Sequence, residues 1–233
     1  VVSNHFIIRN YRPSDREHVR RICCDTGFLG NPIDPVFEDR ELFADFLCAY
    51  YTEVEPESCI ILEEEGEVRG YIFGCRFPMK QKSFYLRFFP TRLGKMLWGY
   101  CFSYSVNSRK YVNWLVFKGR KETPFTPKGM AHFHINLLPS NRNVAQTRAL
   151  IDYFLTYLVK AGEKKVFGQM VTFHNRRGER MFARYGFDVV DSVEVTKYRE
   201  YANFPVFLYT VVKDLEKNAQ LYGSDQLENK KKE

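Results

Sequence analysis

Apolar positions along the chain change period several times, and the changes lay out its elements. Residues 6–9 are a short apolar run that reads as a strand. The turn Tyr11-Arg-Pro-Ser-Asp follows, with Ser14 placed to cap a helix through Cys24 that turns Val19 and Ile22 inward. A Gly/Pro loop over 27–35 leads to a second helix over 39–51, with Leu42, Phe43, Phe46, Leu47 and Tyr50 on one side. Residues 58–62 and 68–77 read as strands. The turn between them holds Gly66 where a hairpin wants positive φ. With 6–9 these strands predict a three-stranded antiparallel meander.

The chain is organised around 130–158. Residues 131–138 alternate and then run apolar, as a buried strand does. Pro139 ends that strand because it has no N–H to give a ladder. Ser140 to Asn143 are turn and cap residues. From Val144 onward Ala149, Leu150, Tyr153, Phe154, Tyr157 and Leu158 recur at helical spacing. Strand, polar turn and helix together aim free backbone N–H groups at an anion. Arg142 and Arg148 add positive charge, so 142–147 reads as a pyrophosphate seat; the structural alternative is a plain junction without ligand. Ala161-Gly162 closes the helix. A strand over 165–172, a helix ending near Tyr185-Gly186, strands over 187–195 and 204–212, and a short helix over 213–222 complete the pattern. Residues 224–233 are charged and apolar-poor, and are expected to be a flexible tail outside a single domain over 1–223.

Charge changes the picture in one place. The net charge is +7, yet residues 80–128 carry eleven Lys and Arg against a single acid, Glu122. Twelve aromatics crowd the same segment: Phe84, Tyr85, Phe88, Phe89, Trp98, Tyr100, Phe102, Tyr104, Tyr111, Trp114, Phe117 and Phe125. A disordered segment is poor in such residues, so 81–128 is expected to fold. Helix is expected over 86–104 and helix or strand over 111–117. The first reading is a lid whose aromatics pack and whose lysines face water; contact with nucleic acid or a membrane surface ranks below it. No apolar run is long enough to span a bilayer, and the first residues lack a signal-peptide pattern. The six cysteines form no C-x-x-C pair, which favours buried free thiols, a cytoplasmic setting and no metal site.

The stretch from Ala131 to the following helix resembles motif A of the GNAT acetyltransferases, a strand followed by [RQ]-x-x-[GA]-x-[GA] and a helix. Arg142, Ala145 and Thr147 stand at the marked positions. Asn175-Arg-Arg-Gly178 through Phe182 to Gly186-Phe187 resembles motif B, and FIIRNYRPSDREHVRRIC resembles the family's first strand and helix. His132-Phe-His134-Ile-Asn136-Leu-Leu-Pro139 also resembles the central strand of the acetyltransferase-like domain of O-GlcNAc hydrolases, where an aspartate stands in place of Asn136. The resemblance implies an α/β (α+β) fold: a mixed, mostly antiparallel central sheet flanked by helices, here with 81–128 inserted before the central strand.

It also implies acetyl transfer from acetyl-CoA, as co-substrate and without metal, to the amine of a small molecule or peptide. The cofactor would lie along Leu137, Arg142, Asn143, Val144, Ala145, Gln146, Thr147 and Arg148, with Asn175 and Phe182 nearby. Asn175 is equally a helix cap. The Leu137 N–H would face the thioester oxygen. The family's acidic base has no counterpart on the strand. His132, His134 and Asn136 share one strand face, and an imidazole near its ordinary pKa of about 6.5 serves as a base at neutral pH. Each histidine is otherwise a satisfied wall residue. Phe182 stands where the family's general-acid tyrosine would be, which leaves Tyr185 as a displaced substitute. Asp34, Glu38, Asp39, Glu41 and Asp45 border the acceptor side, either to meet a cationic acceptor or as a solvated helix face. Two activities remain open: an N-acetyltransferase, or a GNAT-like domain that binds CoA or a partner without turnover. A binder of polyanions or membranes through 81–128 is a third reading. The sequence leaves the oligomeric state open.

Overall fold

The computed structural model describes residues 6–173 and 176–218. Seven strands form one sheet in the order β1-β2-β3-β4-β5-β7-β6. They are β1 (Phe6–Asn10), β2 (Cys59–Glu64), β3 (Glu67–Cys75), β4 (Ala131–Leu137), β5 (Lys165–Phe173), β6 (Asp188–Glu194) and β7 (Val206–Asp214). The first three make the antiparallel meander that their alternation predicts, closed by Glu65 and Gly66 at positive φ of 55° and 77°. Among the described residues only β4 and β5 pair in parallel. Six α-helices cover the two faces: α1 (Arg16–Asp25), α2 (Arg40–Glu53), α3 (Pro78–Phe102), α4 (Val106–Phe117), α5 (Val144–Lys160) and α6 (Arg176–Arg184). The mixed sheet with flanking helices is the architecture expected from the sequence.

Among the described residues the two larger cores lie on opposite faces of the sheet, and a small third joins Val195, Tyr198 and Val206. One of the larger two joins α1 and α2 to Tyr71, Phe73 and Cys75 of β3 and takes in Met96, Tyr104 and Val112 from α3, α4 and their junction. The other packs Leu150, Ile151, Phe154, Leu155 and Leu158 of α5 on Ile60, Ile72, Phe133, Val166 and Val211. Period 2 in the strands and 3.6 in the helices put these residues inward. Five of the six cysteines are buried free thiols, and Cys101 is exposed.

Several local expectations are corrected. Ser14 lies inside a short 3-10 turn and caps nothing; Asp15 accepts the Arg12 N–H at 2.8 Å and the Arg9 guanidinium at 2.7 Å. Of the helix expected over 213–222, Lys213 and Asp214 instead complete β7 and Glu216–Asn218 form a 3-10 turn, while 219–222 lie outside the described residues. The expected tail at 224–233 lies outside the described residues.

The acids of α2 and its approach are largely paired, although Asp34, Glu38 and Glu41 are also exposed to solvent as on a solvated helix face. Arg20 binds Glu41 and Asp45, Arg40 binds Asp34, Arg92 binds Asp45, and Lys95 binds Asp39. Glu38 accepts the Ser105 N–H at 2.6 Å. Asp39 caps α2 through the Leu42 N–H and accepts the Tyr104 hydroxyl. These contacts hold α1, α2 and the start of α4 together.

The basic aromatic segment is a helical hairpin docked on α2. Helix α3 starts earlier than its periodicity suggests and runs through Pro90. Phe84 meets Tyr50, the Tyr85 hydroxyl donates to the Phe46 carbonyl at 2.8 Å, and Phe37 stacks on Tyr111. Helix α4 rests on the link before β7, where Lys197 Nζ sits 4.3 Å from the Trp114 ring and 5.0 Å from Tyr111. Burial is incomplete, however. Phe89, Trp98, Phe102, Phe117 and Phe125 stay exposed, so the packing uses only part of the aromatic surface the segment offers. Docking by the remaining aromatics predicts slow amide exchange in α3 from Phe84 to Met96, on the order of 100-fold or more below random coil. Exchange of that whole stretch within seconds would contradict the packing.

Candidate active site

Strand β4 has two different edges. It pairs with β3 from Cys75↔His132 to Gly70↔Leu137 without a break. It pairs with β5 only at Ala131↔Val166, His132↔Phe167 and Phe133↔Gly168. Beyond that point β5 stays on β7 through Phe173 and β4 stays on β3, so the two strands part. The Leu138 N–H bonds the Arg69 carbonyl at 2.9 Å, which fixes the alternation of the ladder. His132, His134 and Asn136 then point their backbone groups at β3. Ile135 and Leu137 turn theirs into the opening. An extended ligand with an amide of its own fits such an edge, because it supplies the missing ladder.

At the wide end stands the N-terminus of α5. Asn143 caps it, accepting the Gln146 N–H at 2.9 Å, and the first intrahelical bond runs from the Thr147 N–H to the Asn143 carbonyl. The N–H groups of Val144 and Ala145 therefore have no helical partner, and both residues are exposed. Together with the positive end of the helix dipole they form an open seat for an anion. Gln146 is used otherwise: its side chain is buried, donates to Glu64 at 2.8 Å and accepts from Asn143. Thr147 is half-buried in the same first turn.

Neither arginine points at this seat. Arg142 Nε donates to the Leu137 carbonyl at 2.9 Å, and Nη2 donates to the Gly30 carbonyl at 2.6 Å. Gly30, at φ 87°, has room for it only because a Cβ there would lie 2.3 Å from Nη1. Arg142 thus ties the end of β4 to the loop after α1. It satisfies the Leu137 carbonyl and leaves the Leu137 N–H facing the opening. Arg148 donates to the Arg184 carbonyl at 2.9 Å and lies over the Tyr185 ring.

The side chains of His132, His134 and Asn136 line the α2 face of β4, as alternation predicts. Tyr51 Oη lies 3.3 Å from His132 Nε2 and accepts from Gln81 Nε2 at 3.0 Å. The Tyr51 proton is then free to go to His132, which places the imidazole proton on Nδ1. The His134 ring meets Tyr51 edge-on at 5.5 Å. Asn136 donates to the Tyr71 hydroxyl at 2.8 Å. Burial, helped by the neighbouring His134, pushes the His132 imidazole down to about 3. Burial alone pushes His134 down to about 4. Both rings are neutral acceptors at pH 7. The expectation of a base that titrates near pH 6.5 is corrected on this point, because desolvation disfavours the imidazolium.

Phe182 is buried against Tyr209, with ring centroids 5.6 Å apart, so its side chain belongs to the core. Tyr185 is half-buried at the end of α6, its ring beside Arg148 and its carbonyl taken by Lys213 Nζ at 2.7 Å. The structure brings it to the α5 side of the sheet, away from the His132 and His134 face. Asn175 lies outside the described residues. Among the described residues no cluster of His, Cys, Asp or Glu has a geometry for metal.

Comparison with solved structures settles the architecture. A structure named SsHAT superposes with a TM-score of 0.60 at 23% identity, covering 90% of this chain and 98% of its own. The fold is that of the GNAT acetyltransferases. The Salmonella typhimurium protein yncA, solved with its cofactor acetyl-CoA, matches with a TM-score of 0.53 at 15% identity, over 91% and 95% of the two chains. Drosophila melanogaster polyamine N-acetyltransferase, which forms N-acetylagmatine, matches at 0.53 and 11%, over 90% and 100%. No family model and no curated protein matches the sequence. The GNAT likeness is carried by the fold.

Sequence reasoning missed the residues that hold this site. Tyr51 reaches His132 from 81 positions away, Glu64 reaches Gln146 from 82, and Gly30 reaches Arg142 from 112. No local pattern carries such contacts, and the helix face read over 39–51 did not include Tyr51. The histidine environment gives a prediction. Unfolded, both rings take protons below about pH 6.5. Folded, they resist until about 4 and about 3. The stability they confer is complete above pH 6.5 and is lost as pH falls toward the folded values. At pH 5 the loss is on the order of 1–2 kcal/mol per ring. His134→Asn should therefore lose less of its melting temperature between pH 7 and 5 than the parent. An NMR inflection near pH 6.5 for either ring would contradict their burial.

Proposed function

We propose that the chain is an acetyl-CoA-dependent N-acetyltransferase that uses the β4–β5 opening as its cofactor slot. The observation that carries this reading is the unpaired Ile135 and Leu137 edge leading directly to the uncapped N–H groups of Val144 and Ala145. The slot suits a pantetheine arm and the seat suits a pyrophosphate. Bound acetyl-CoA supplies a thioester, which an amine converts to an amide with release of the thiol. The Leu137 N–H donates to the carbonyl oxygen as it gains negative charge, a contribution of roughly 3 kcal/mol for one well-placed donor.

The acceptor amine approaches from the His132, His134 and Asn136 face. His134, neutral and without a hydrogen-bond partner among the described residues, accepts an N–H from the amine and orients it. Tyr51 and Gln81 fix the tautomer of His132. Neither ring holds the released proton at pH 7, so it passes to solvent. The acceptor enters as a neutral amine, and the pH dependence of turnover follows the amine's own ionisation rather than a histidine. Phe182 has no proton to give the leaving thiolate. Tyr185 remains the candidate on α6 for that role, with the thiolate otherwise protonated by water.

Those same facts favour one second reading, a GNAT-fold domain that binds CoA without turnover. Calorimetry with CoA, followed by thiol release from acetyl-CoA with a panel of amines, separates the two: binding with thiol release marks the enzyme, and binding alone marks the other. Ala145→Glu should weaken CoA at least tenfold, since it sets a carboxylate in the anion seat. An acid in the first turn also favours the helix, so the fold is kept. Unchanged affinity in that variant would remove the slot assignment. His134→Ala should lower turnover about 10–100-fold with the pH profile unmoved. A profile that loses an inflection between pH 6 and 8 would restore His134 as the base.

A further inference from the structure

Helix α3 is apolar on both sides, and one of them faces water. Its inner side is used against α2 through Tyr85, Phe84 and Met96. Its outer side carries Met79, Leu86 and Leu97, which are 72, 68 and 53% exposed, with Trp98, 67% exposed, one position round from Leu97. Met79, Leu86 and Leu97 are seven and eighteen residues apart in all, close to whole numbers of helical turns, so they form one line along the helix. A surface helix normally turns polar residues outward, and exposed apolar residues aligned in this way mark an interaction site.

The charge on α3 selects the partner. The helix contains Lys80, Lys82, Arg87, Arg92 and Lys95 and no acidic residue. Arg92 and Lys95 are paired with Asp45 and Asp39. Lys80, Lys82 and Arg87 have no ion pair among the described residues. An open groove of about 770 Å³ runs along the first half of α3, lined by Met79, Lys80, Phe84, Arg87, Phe88 and Arg92 among others, again without an acid. A second copy packed on this line would oppose like charges. Nucleic acid would leave Met79, Leu86 and Leu97 without stacking partners. Aliphatic side chains, a tryptophan, flanking lysines and a basic amphiphilic groove are together the chemistry of an anionic lipid surface. No helix among the described residues is long and apolar enough to cross a membrane, so α3 would lie on the surface.

We propose that α3 seats this protein on anionic membranes, with Met79, Leu86, Leu97 and Trp98 entering the headgroup boundary and Lys80, Lys82 and Arg87 meeting lipid phosphates. This reverses the order in which the sequence ranked a water-facing lid and a membrane contact. The whole chain is tested by co-sedimentation with phosphatidylcholine vesicles, with and without phosphatidylserine. Binding should need the anionic lipid and weaken with salt, and Trp98 emission should shift to the blue. Lys80→Glu with Arg87→Glu should weaken binding by at least about fivefold per cation replaced. Leu97→Ser with Trp98→Ser should abolish it, with the melting temperature unchanged because these residues are exposed. Four results would overturn the proposal: no binding to either vesicle, equal binding to both, a dimer in solution that Leu97→Ser with Trp98→Ser disperses, or capture of a labelled oligonucleotide in place of the vesicles.

Discussion

A strand inside a sheet must satisfy the backbone groups on both of its edges, and β4 does so on one edge only. Its ladder to β3 is unbroken, while its ladder to β5 stops at Phe133↔Gly168. The rest of the site depends on that half-finished edge. Arg142 takes the Leu137 carbonyl and so holds the end of the strand in place. Asn143 caps α5 but leaves the first N–H groups open where the strands are furthest apart. Leaving buried backbone groups unpaired costs free energy, and a ligand that completes the ladder recovers it. This gives the opening a physical reason to bind an extended amide-bearing molecule.

The two faces of β4 divide the labour. On one, Phe133 and its neighbours pack against α5 and keep the strand fixed. On the other, His132, His134 and Asn136 sit under α2 with Tyr51 and Tyr71. Burial on that face decides the chemistry open to the histidines. It disfavours their charged form and keeps both rings neutral at pH 7. The docked α3 hairpin contributes to that burial through Gln81, at the cost of presenting its own apolar outer line to solvent.

The fold was legible because its signals are local. The strand patterns over 58–62, 68–77 and 131–138, Gly66 in its turn, Pro139 after the central strand and helical spacing from Val144 each act within a few residues. The strand–turn–helix junction that leaves the first N–H groups of α5 open was legible for the same reason. Other features were not. Arg142 looks like a phosphate ligand in sequence, yet two carbonyls, one of them 112 residues away, use its donors. His134 looks like a base until the residues that desolvate it are assembled from α2 and the sheet. The aromatic count of 81–128 predicted folding, but not that five of twelve rings would remain exposed. Composition states how much apolar surface a segment has, and only the packing states which side of a helix it covers.

The central claim is that CoA lies in the β4–β5 opening with its pyrophosphate on α5. Amide chemical shifts recorded while CoA is added to isotopically labelled protein test it most directly. The account predicts that the Ile135, Leu137, Val144 and Ala145 amides move together and saturate at one concentration. The Asn136 amide, bonded to β3, should move less than its two neighbours. Shifts confined to another surface, or none at saturating CoA, would contradict it.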